Sequence, residues 1–440
     1  MLQPLHDRIL ETYATEPKYG RAYAFDPPVD LSSLQLFRGG VPYEAFRAMR
    51  EKAPVCWSRE TLTVGGFWAL TSYKDVRAVS LAPETFSSEY GGILMAYGSP
   101  EGRHPLLHRA SLDQMINLDA PVHFQLRREH MPFFTPRYVA DLRAKVDAKV
   151  TSLLDRMAPL GECDLVEMLS AELPLFTLSE LLGIPESDRP KLVRWMHFLE
   201  IAAAVTTENN AGTIDLNFFL EFQNNVNEMF DYGQAILQSR RKEPKEDLLS
   251  AIAHIKVDGE YLSPEYLDGS WLLIVFAGND TSRNSISGTM KLLTEFPEQK
   301  KKLLASPDLL TNGVNEAIRM VSPVIYMRRT AKKDGEIHGQ KIAEGEKVVM
   351  YYGAANRDPE IFADPDAFDV ERANAKDHIA FGIGPHVCLG QRVANMQIEA
   401  VYRQLLARFP DMHWTGEIDI APSNFVHAIR KLGVAFTPET

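Results

Sequence analysis

Cysteine is scarce in this 440-residue chain, occurring only at positions 56, 163 and 388. Three thiols so widely spaced do not make a disulfide framework, so a reducing compartment, the cytoplasm, is expected. Long apolar runs are also missing. The most apolar stretch, Trp271 to Gly278, falls far short of the roughly 20 residues that cross a bilayer. The N-terminus, MLQPLHDRILETYATEPKYG, is too polar and charged for a signal peptide or a membrane anchor. Nor is there a surplus of positive charge. With 47 Lys+Arg against 59 Asp+Glu the net charge is -12, which argues against a general nucleic-acid binder. What remains is ordinary for a globular protein: 45% hydrophobic residues, enough for a substantial core. The length exceeds the usual domain size yet allows one large domain over 1–440, with residues 1–40 as an irregular arm.

One of the three cysteines sits in an unusual setting. The stretch Phe381 to Gly390 reads FGIGPHVCLG. Gly382, Gly384 and Gly390 let the backbone curl where side chains would obstruct it, and Pro385 stiffens the curl. A helical run, LGQRVANMQIEAVYRQLLARF, follows with no proline until Pro410. A thiolate at a helix start is favoured by the free amides and the positive end of the helix dipole. Such a sulfur describes an axial metal ligand, and thiolate-ligated haem is one use of it. The plainer alternative is a buried structural thiol. Zinc held by His386 and Cys388 is a third, although zinc wants four ligands in paired spacings and Cys56 and Cys163 lie far away.

Other segments break local rules or place charges together. Ser263 and Pro264 make a good N-cap and first turn, and the helix they open could run to Phe296, about 50 Å at 1.5 Å per residue. In its middle stand Ala277-Gly278-Asn279-Asp280-Thr281. Gly costs about 1 kcal/mol against Ala in a helix, and rule-breaking inside a buried element often marks a functional site, the alternative being a simple kink. His123 and Arg127 share a helix face after Pro121; a solvated basic face is the plain reading. Glu316 and Arg319 stand three apart, a pattern that surface salt bridges also give. Tyr43 to Lys52 and Tyr73 to Leu81 are predicted helices. Val55 to Thr71 reads as a hairpin, 88–112 as a loop, 138–255 as helices, and 335–352 as two or three short strands. The candidate apolar pocket residues are Ile93, Leu94, Met95, Ile274, Val324, Ile325 and Phe425.

The ten residues 381–390 match F-G-x-G-x-H-x-C-[LI]-G, and the chain resembles the cytochrome P-450 superfamily from about residue 40 to its end. AGNDT at 277–281 resembles that family's oxygen-activation motif and Glu316-x-x-Arg319 its charge pair. HFQLR at 123–127 resembles its propionate-contacting helix. The resemblance implies a mainly α fold with a small β-rich lobe, and haem b (iron protoporphyrin IX) between the long helix and the cysteine loop. It makes Cys388 the iron ligand, and Phe381, Gly382, His386 and Gly390 its surroundings. His123, Arg127 and Arg329 become propionate partners, with His378 a further candidate. Ala277 and Gly278 leave room for O2, Thr281 holds the oxygen ligand by a hydrogen bond, and Asp280 relays protons from solvent. Glu316, Arg319 and Arg372 become a structural charge cluster bracing the loop, and 195–230, including Ile201 to Val205, becomes a mobile lid, part of which lines an apolar pocket.

The activity implied is monooxygenation of an unactivated C–H bond in a hydrophobic small molecule. AGNDTSRNS, MRRTAKKD and VVMYYGAANRDP look most like bacterial hydroxylases of alkanes, terpenes and lipid or sterol side chains. No reductase-like segment follows the cysteine motif, so electrons from NAD(P)H are expected through a flavin-dependent reductase and a separate ferredoxin, to a soluble monomer. An H2O2-driven peroxygenase and a non-catalytic haem sensor are the rival functions; neither needs the Asp280–Thr281 pair.

Overall fold

The computed structural model describes residues 14–19, 29–60, 65–94, 104–196, 198, 216–257 and 259–439. Met95 and the run Ile201 to Val205 lie outside them, as does most of the expected arm.

Helices dominate, and the cysteine loop is buttressed by two of them. Helix Pro136–Met157 starts with proline in its first turn, and Thr135 caps it by accepting from the Tyr138 amide at 3.4 Å. Val139, Leu142, Val146, Val150, Leu153 and Met157 recur at helical spacing and are buried, so one face is fixed against the core. That face shares a core cluster with Val393, Met396, Val401 and Leu405 of helix Gln391–Arg408, which begins three residues after Cys388. Full burial of such side chains is worth about 1.5–3 kcal/mol each, so the start of the cysteine helix is held by a thick apolar support. Here Leu405→Ala would leave a cavity.

The expected 50 Å helix is two helices, Pro264–Ala277 and Asp280–Glu295. The break has a local cause. The Thr281 hydroxyl donates to the Ala277 carbonyl at 3.0 Å, a side-chain bond that competes with the backbone ladder and bends helices. Gly278, at the break, faces Leu178 of helix Glu172–Leu182; a Cβ there would stand 3.2 Å from Leu178 Cδ1. The backbone ladder is re-established as the Arg283 amide donates to the Asn279 carbonyl at 3.0 Å.

The β-rich part is a five-stranded sheet in the order Val55–Glu60, Gly65–Leu70, Lys347–Tyr351, Tyr326–Ala331 and Phe86–Ser87. The first two strands pair antiparallel with Val55 opposite Leu70, as the hairpin reading requires, and Gly65–Leu70 runs parallel to Lys347–Tyr351. A second sheet joins Glu162–Asp164, His413–Ile420 and Ile429–Ala435. The predicted helix Tyr43–Lys52 is present with those bounds, and Tyr73–Ser80 ends one residue early. The strands predicted over 335–352 are three: Gly335–Ile337, Gln340–Ile342 and Lys347–Tyr351. The loop expected over 88–112 holds a helix instead, Pro105–Leu112. Proline in its first turn and buried Ala110 and Leu112 stabilise it.

Candidate active site

The cysteine loop is shaped by two left-handed glycines, Gly382 at φ +72° and Gly384 at φ +76°, a region that side chains disfavour. A Cβ on Gly384 would also stand 2.8 Å from the Ser80 carbonyl oxygen. Gly390 differs from the expectation. Its φ of -78° is open to any residue, and a Cβ there would meet only the Cys388 sulfur, at 3.8 Å. The Cys388 amide donates to the Phe381 carbonyl at 2.8 Å, closing the loop.

Cys388 is exposed to a cavity of about 280 Å³. Burial in dense protein pushes its thiol up, while the Gly390 amide, the Arg127 guanidinium and the Gln391 amide all favour the thiolate. The other two cysteines have no such opposition. Cys56 is pushed up to about 12 by burial, and Cys163 to about 11 by burial and neighbouring carboxylates. Of the three cysteines, Cys388 is the one with neighbours that favour the thiolate. Among the described residues it has no zinc partners. His386 shares its Nε2 with the Ser88 hydroxyl at 3.1 Å and stacks on His123 at 4.0 Å. Among the described residues no three His, Cys, Asp or Glu side chains gather as a metal cage.

His123, Arg127 and Arg329 are among the basic side chains that line the same cavity. Arg329 is 5% exposed, and its Nη1 donates to the Arg328 carbonyl at 2.8 Å. Arg127 donates to the Val387 carbonyl at 2.6 Å. Neither has a carboxylate partner among the described residues. Burial holds both guanidinium groups below their ordinary range. Burial also holds His123 down at about 4, with Arg127 and Arg329 adding to the effect. His386 is lowered to about 2 by burial and the same cations. Buried cations without counter-ions are costly. A dianionic ligand tail reaching them would relieve that cost through charge-assisted hydrogen bonds. Strand alternation settles which arginine of the pair faces in. Arg328 points to the other side, where it donates to the Leu94 carbonyl and the Thr330 hydroxyl at 3.2 Å each.

Of the residues expected at the site, Ala277, Gly278, Thr281, Ile274, Val324, Phe381, Gly382, His386 and Gly390 also line the cavity. Asp280 does not. Its carboxylate is 21% exposed and lies 3.5 Å from Arg283 Nη2, with Asn279 Nδ2 donating to it at 3.1 Å. His378 is not on the wall either. Its Nδ1 accepts from the Ala380 amide at 3.2 Å, and its ring packs on Phe381. Four pocket expectations fail. Ile93 and Leu94 present carbonyls to Arg328 rather than side chains to the cavity, while Ile325 and Phe425 pack beneath the sheet around Tyr326. Met115, Ile116, Pro174, Thr177, Leu178 and Leu181 were missed. The last four recur on one face of Glu172–Leu182, but eight buried residues surround that helix, so no amphipathic stripe marks the face.

The charge cluster is a fully buried bracket. Arg319 meets Glu316 through two bonds of 2.7 and 2.8 Å, and Arg372 Nε meets Glu316 Oε1 at 2.8 Å. The arginines spend their remaining donors on the carbonyls of Asn356, Ala363, Pro365 and Ala367. Asn356 in turn accepts from the Ile379 amide at 2.8 Å, two residues before the cysteine loop. Glu316→Gln is expected to cost about 3–5 kcal/mol, because two guanidinium groups would be left buried without a carboxylate. A urea midpoint unchanged by that substitution would refute the bracket.

A thiol poised for charge at a helix start, counter-ion-free cations across a cavity, and a kinked helix beside it fit haem with thiolate ligation. A haem-thiolate monooxygenase is the class this fold and cavity define. The Cytochrome P450 family model matches residues 304–419. The chain is 35% identical to linalool 8-monooxygenase of Pseudomonas putida, covering 93% of this chain and 99% of that one. It is also 35% identical to the methyl-branched lipid omega-hydroxylase of Mycobacterium tuberculosis, with 93% and 95% covered. The solved structure of Mycobacterium marinum cytochrome P450 CYP268A2 in complex with pseudoionone shares the fold at a TM-score of 0.82 and 34% identity, covering 93% and 98%.

The chain belongs to the cytochrome P450 family. It is a haem b monooxygenase that uses O2, redox partners and a hydrophobic substrate. Among the described residues no helix is long and apolar enough to cross a membrane.

Proposed function

We propose that this enzyme hydroxylates the unactivated, branched hydrocarbon end of a terpene or lipid, using electrons from a ferredoxin reduced by a flavin-dependent NAD(P)H reductase. The whole chain acts as one domain, a reading supported by a cavity whose walls run from Met115 to Ile398. Cys388 holds the iron, with Phe381, Gly382, His386 and Gly390 around it. His123, Arg127 and Arg329 take the haem carboxylates, and Glu316, Arg319 and Arg372 brace the loop. When bound, haem with thiolate ligation supplies O–O cleavage and C–H oxidation. The chain's own part is to exclude water, to offer the Thr281 hydroxyl inside the cavity, and to deliver protons through Asp280.

The substrate reading rests on one observation, the chemistry of the lining. Met115, Ile116, Leu273, Ile274, Val324 and Met327 offer only hydrocarbon and thioether surface. The Thr177 and Ser285 hydroxyls donate to the Leu173 and Thr281 carbonyls at 2.9 and 2.8 Å. Such a wall selects by shape and apolar contact. The relatives named for linalool and for a methyl-branched lipid support the same class. Exposed Arg392 and the 76%-exposed Arg128 offer cations to an acidic ferredoxin.

The test pairs binding with turnover. Branched hydrocarbons should shift the ferric spin state, and one of them should be hydroxylated with NAD(P)H, reductase and a surrogate ferredoxin. Turnover with H2O2 but none with the redox partners would establish the peroxygenase instead, and no turnover with either the sensor.

The same reading predicts that Arg329→Leu lowers haem occupancy far more than Arg328→Leu, measured as the haem-to-protein absorbance ratio. Equal losses would show that the cavity-facing guanidinium is not the anion partner.

A further inference from the structure

Beside Arg329 the cavity wall carries a group that neither the motifs nor the charge pattern single out. Tyr352 follows strand Lys347–Tyr351 and is anchored by its backbone, whose amide donates to the Ile325 carbonyl at 3.0 Å and whose carbonyl accepts from the Asn356 amide at 2.8 Å. The residue is 4% exposed and lines the cavity. Its hydroxyl reaches the start of the cysteine loop, for a Cβ on Gly382 would stand 3.5 Å from it. Among the described residues that hydroxyl has no hydrogen-bond partner. Two other tyrosine hydroxyls of this fold do reach a carbonyl. Tyr402 donates to the Ile286 carbonyl at 2.5 Å, and Tyr43 lies 3.4 Å from the Met320 carbonyl. Buried phenols ordinarily find an acceptor.

Burial pushes the Tyr352 phenol up, with the Arg329 charge opposing, so the hydroxyl keeps its proton and can only gain by donating it to an acceptor. Arg329 offers no acceptor, since a guanidinium has donors alone. Asp119, the carboxylate that Arg329 senses, is occupied by Lys332 at 2.6 Å, by the Ser87 hydroxyl at 2.5 Å and by the Ser88 amide at 3.0 Å. The two neighbouring donors therefore face the cavity without an anion from the chain.

We propose that the Tyr352 hydroxyl donates a hydrogen bond to the haem carboxylate held by Arg329, so that a phenol and a guanidinium together grip one propionate. This rests on the reading that Arg329 takes that group. Tyr352 is a cofactor-positioning residue here, and it also sets the charge that the iron feels. A donor on the carboxylate offsets part of its negative charge, and losing the donor favours ferric over ferrous iron.

Tyr352→Phe removes one oxygen atom and keeps the ring packing. A hydrogen bond to a charged group is worth about 1.5–3 kcal/mol, so haem transfer from the ferric holoenzyme to apomyoglobin should be roughly tenfold to a hundredfold faster. The ferric/ferrous midpoint potential should fall. Reconstitution with haem dimethyl ester, whose esters carry no charge, should bring wild type and Tyr352→Phe to nearly the same transfer rate. Arg329→Leu separates the two claims. If Arg329→Leu speeds haem loss while Tyr352→Phe changes neither rate nor potential, the phenol is not a partner and the proposal falls alone. If neither substitution matters, the Arg329 reading falls with it. If Tyr352→Phe loosens haem and its dimethyl ester equally, the ring merely packs, and the proposal is overturned.

Discussion

Thr281→Ala should leave NADPH consumption largely intact while product per NADPH falls by roughly tenfold or more, the balance appearing as hydrogen peroxide. The reasoning starts from proton delivery. Reducing O2 to the level that oxidises a C–H bond takes two electrons and two protons, and misplaced protons release peroxide before the substrate is touched. The Thr281 hydroxyl lines the cavity and donates to the Ala277 carbonyl at 3.0 Å. That bond fixes the rotamer and leaves the oxygen's lone pairs free to accept a proton-bearing partner in the cavity. Asp280 stands behind it, held by Asn279 at 3.1 Å and by Arg283 at 3.5 Å. At 21% exposure its carboxylate is within reach of solvent. Asp280→Asn should therefore slow the whole cycle, by roughly 10²-fold, rather than uncouple it. Peroxide-driven turnover needs fewer proton deliveries and should lose less in both variants. Full coupling of NADPH to product in Thr281→Ala would reduce the pair to an ordinary helix kink.

The cysteine loop was legible in sequence because its constraints are local. Two glycines forced into left-handed backbone, a thiol and a following helix all fall within about ten residues, and no tertiary knowledge is needed to see that they conflict with ordinary packing. Gly278 and Thr281 were legible for the same reason, as helix-breaking residues where a helix should continue. That the break splits the helix in two was not, because a helical threonine can equally turn its hydroxyl outward, and only the structure places it on the Ala277 carbonyl.

Residues on uniformly apolar segments carried no signal. Glu172–Leu182 is buried nearly all round, so periodicity cannot tell which side faces a cavity, and Pro174 and Leu181 passed as core. The same ambiguity misplaced Ile325 and Phe425, which are apolar yet pack around Tyr326 rather than against the cavity. Tyr352 lay in a run of strand-like aromatics, where a phenol reads as packing; its unpartnered hydroxyl exists only once Gly382 is brought against it. Arg328 and Arg329 are the simplest case. Either could have faced in by composition, and only the fold puts Arg329 on the cavity wall and Arg328 against Leu94 and Thr330.

The most direct measurement of the account is the absorption of the ferrous carbon monoxide complex of Cys388→Ser and Cys388→His. Strong electron donation from a thiolate is what shifts that band to long wavelength, and neither serine nor a neutral imidazole supplies it. The fold should survive, since a Ser side chain is close in size and the loop closes through the Cys388 amide and the Phe381 carbonyl rather than through sulfur. Monooxygenase turnover should fall with the band, because the same electron push drives O–O cleavage. The account predicts the red-shifted band in wild type and its loss in both variants, with haem still bound in the histidine one. The band persisting in either variant would contradict the assignment of Cys388 as the iron ligand.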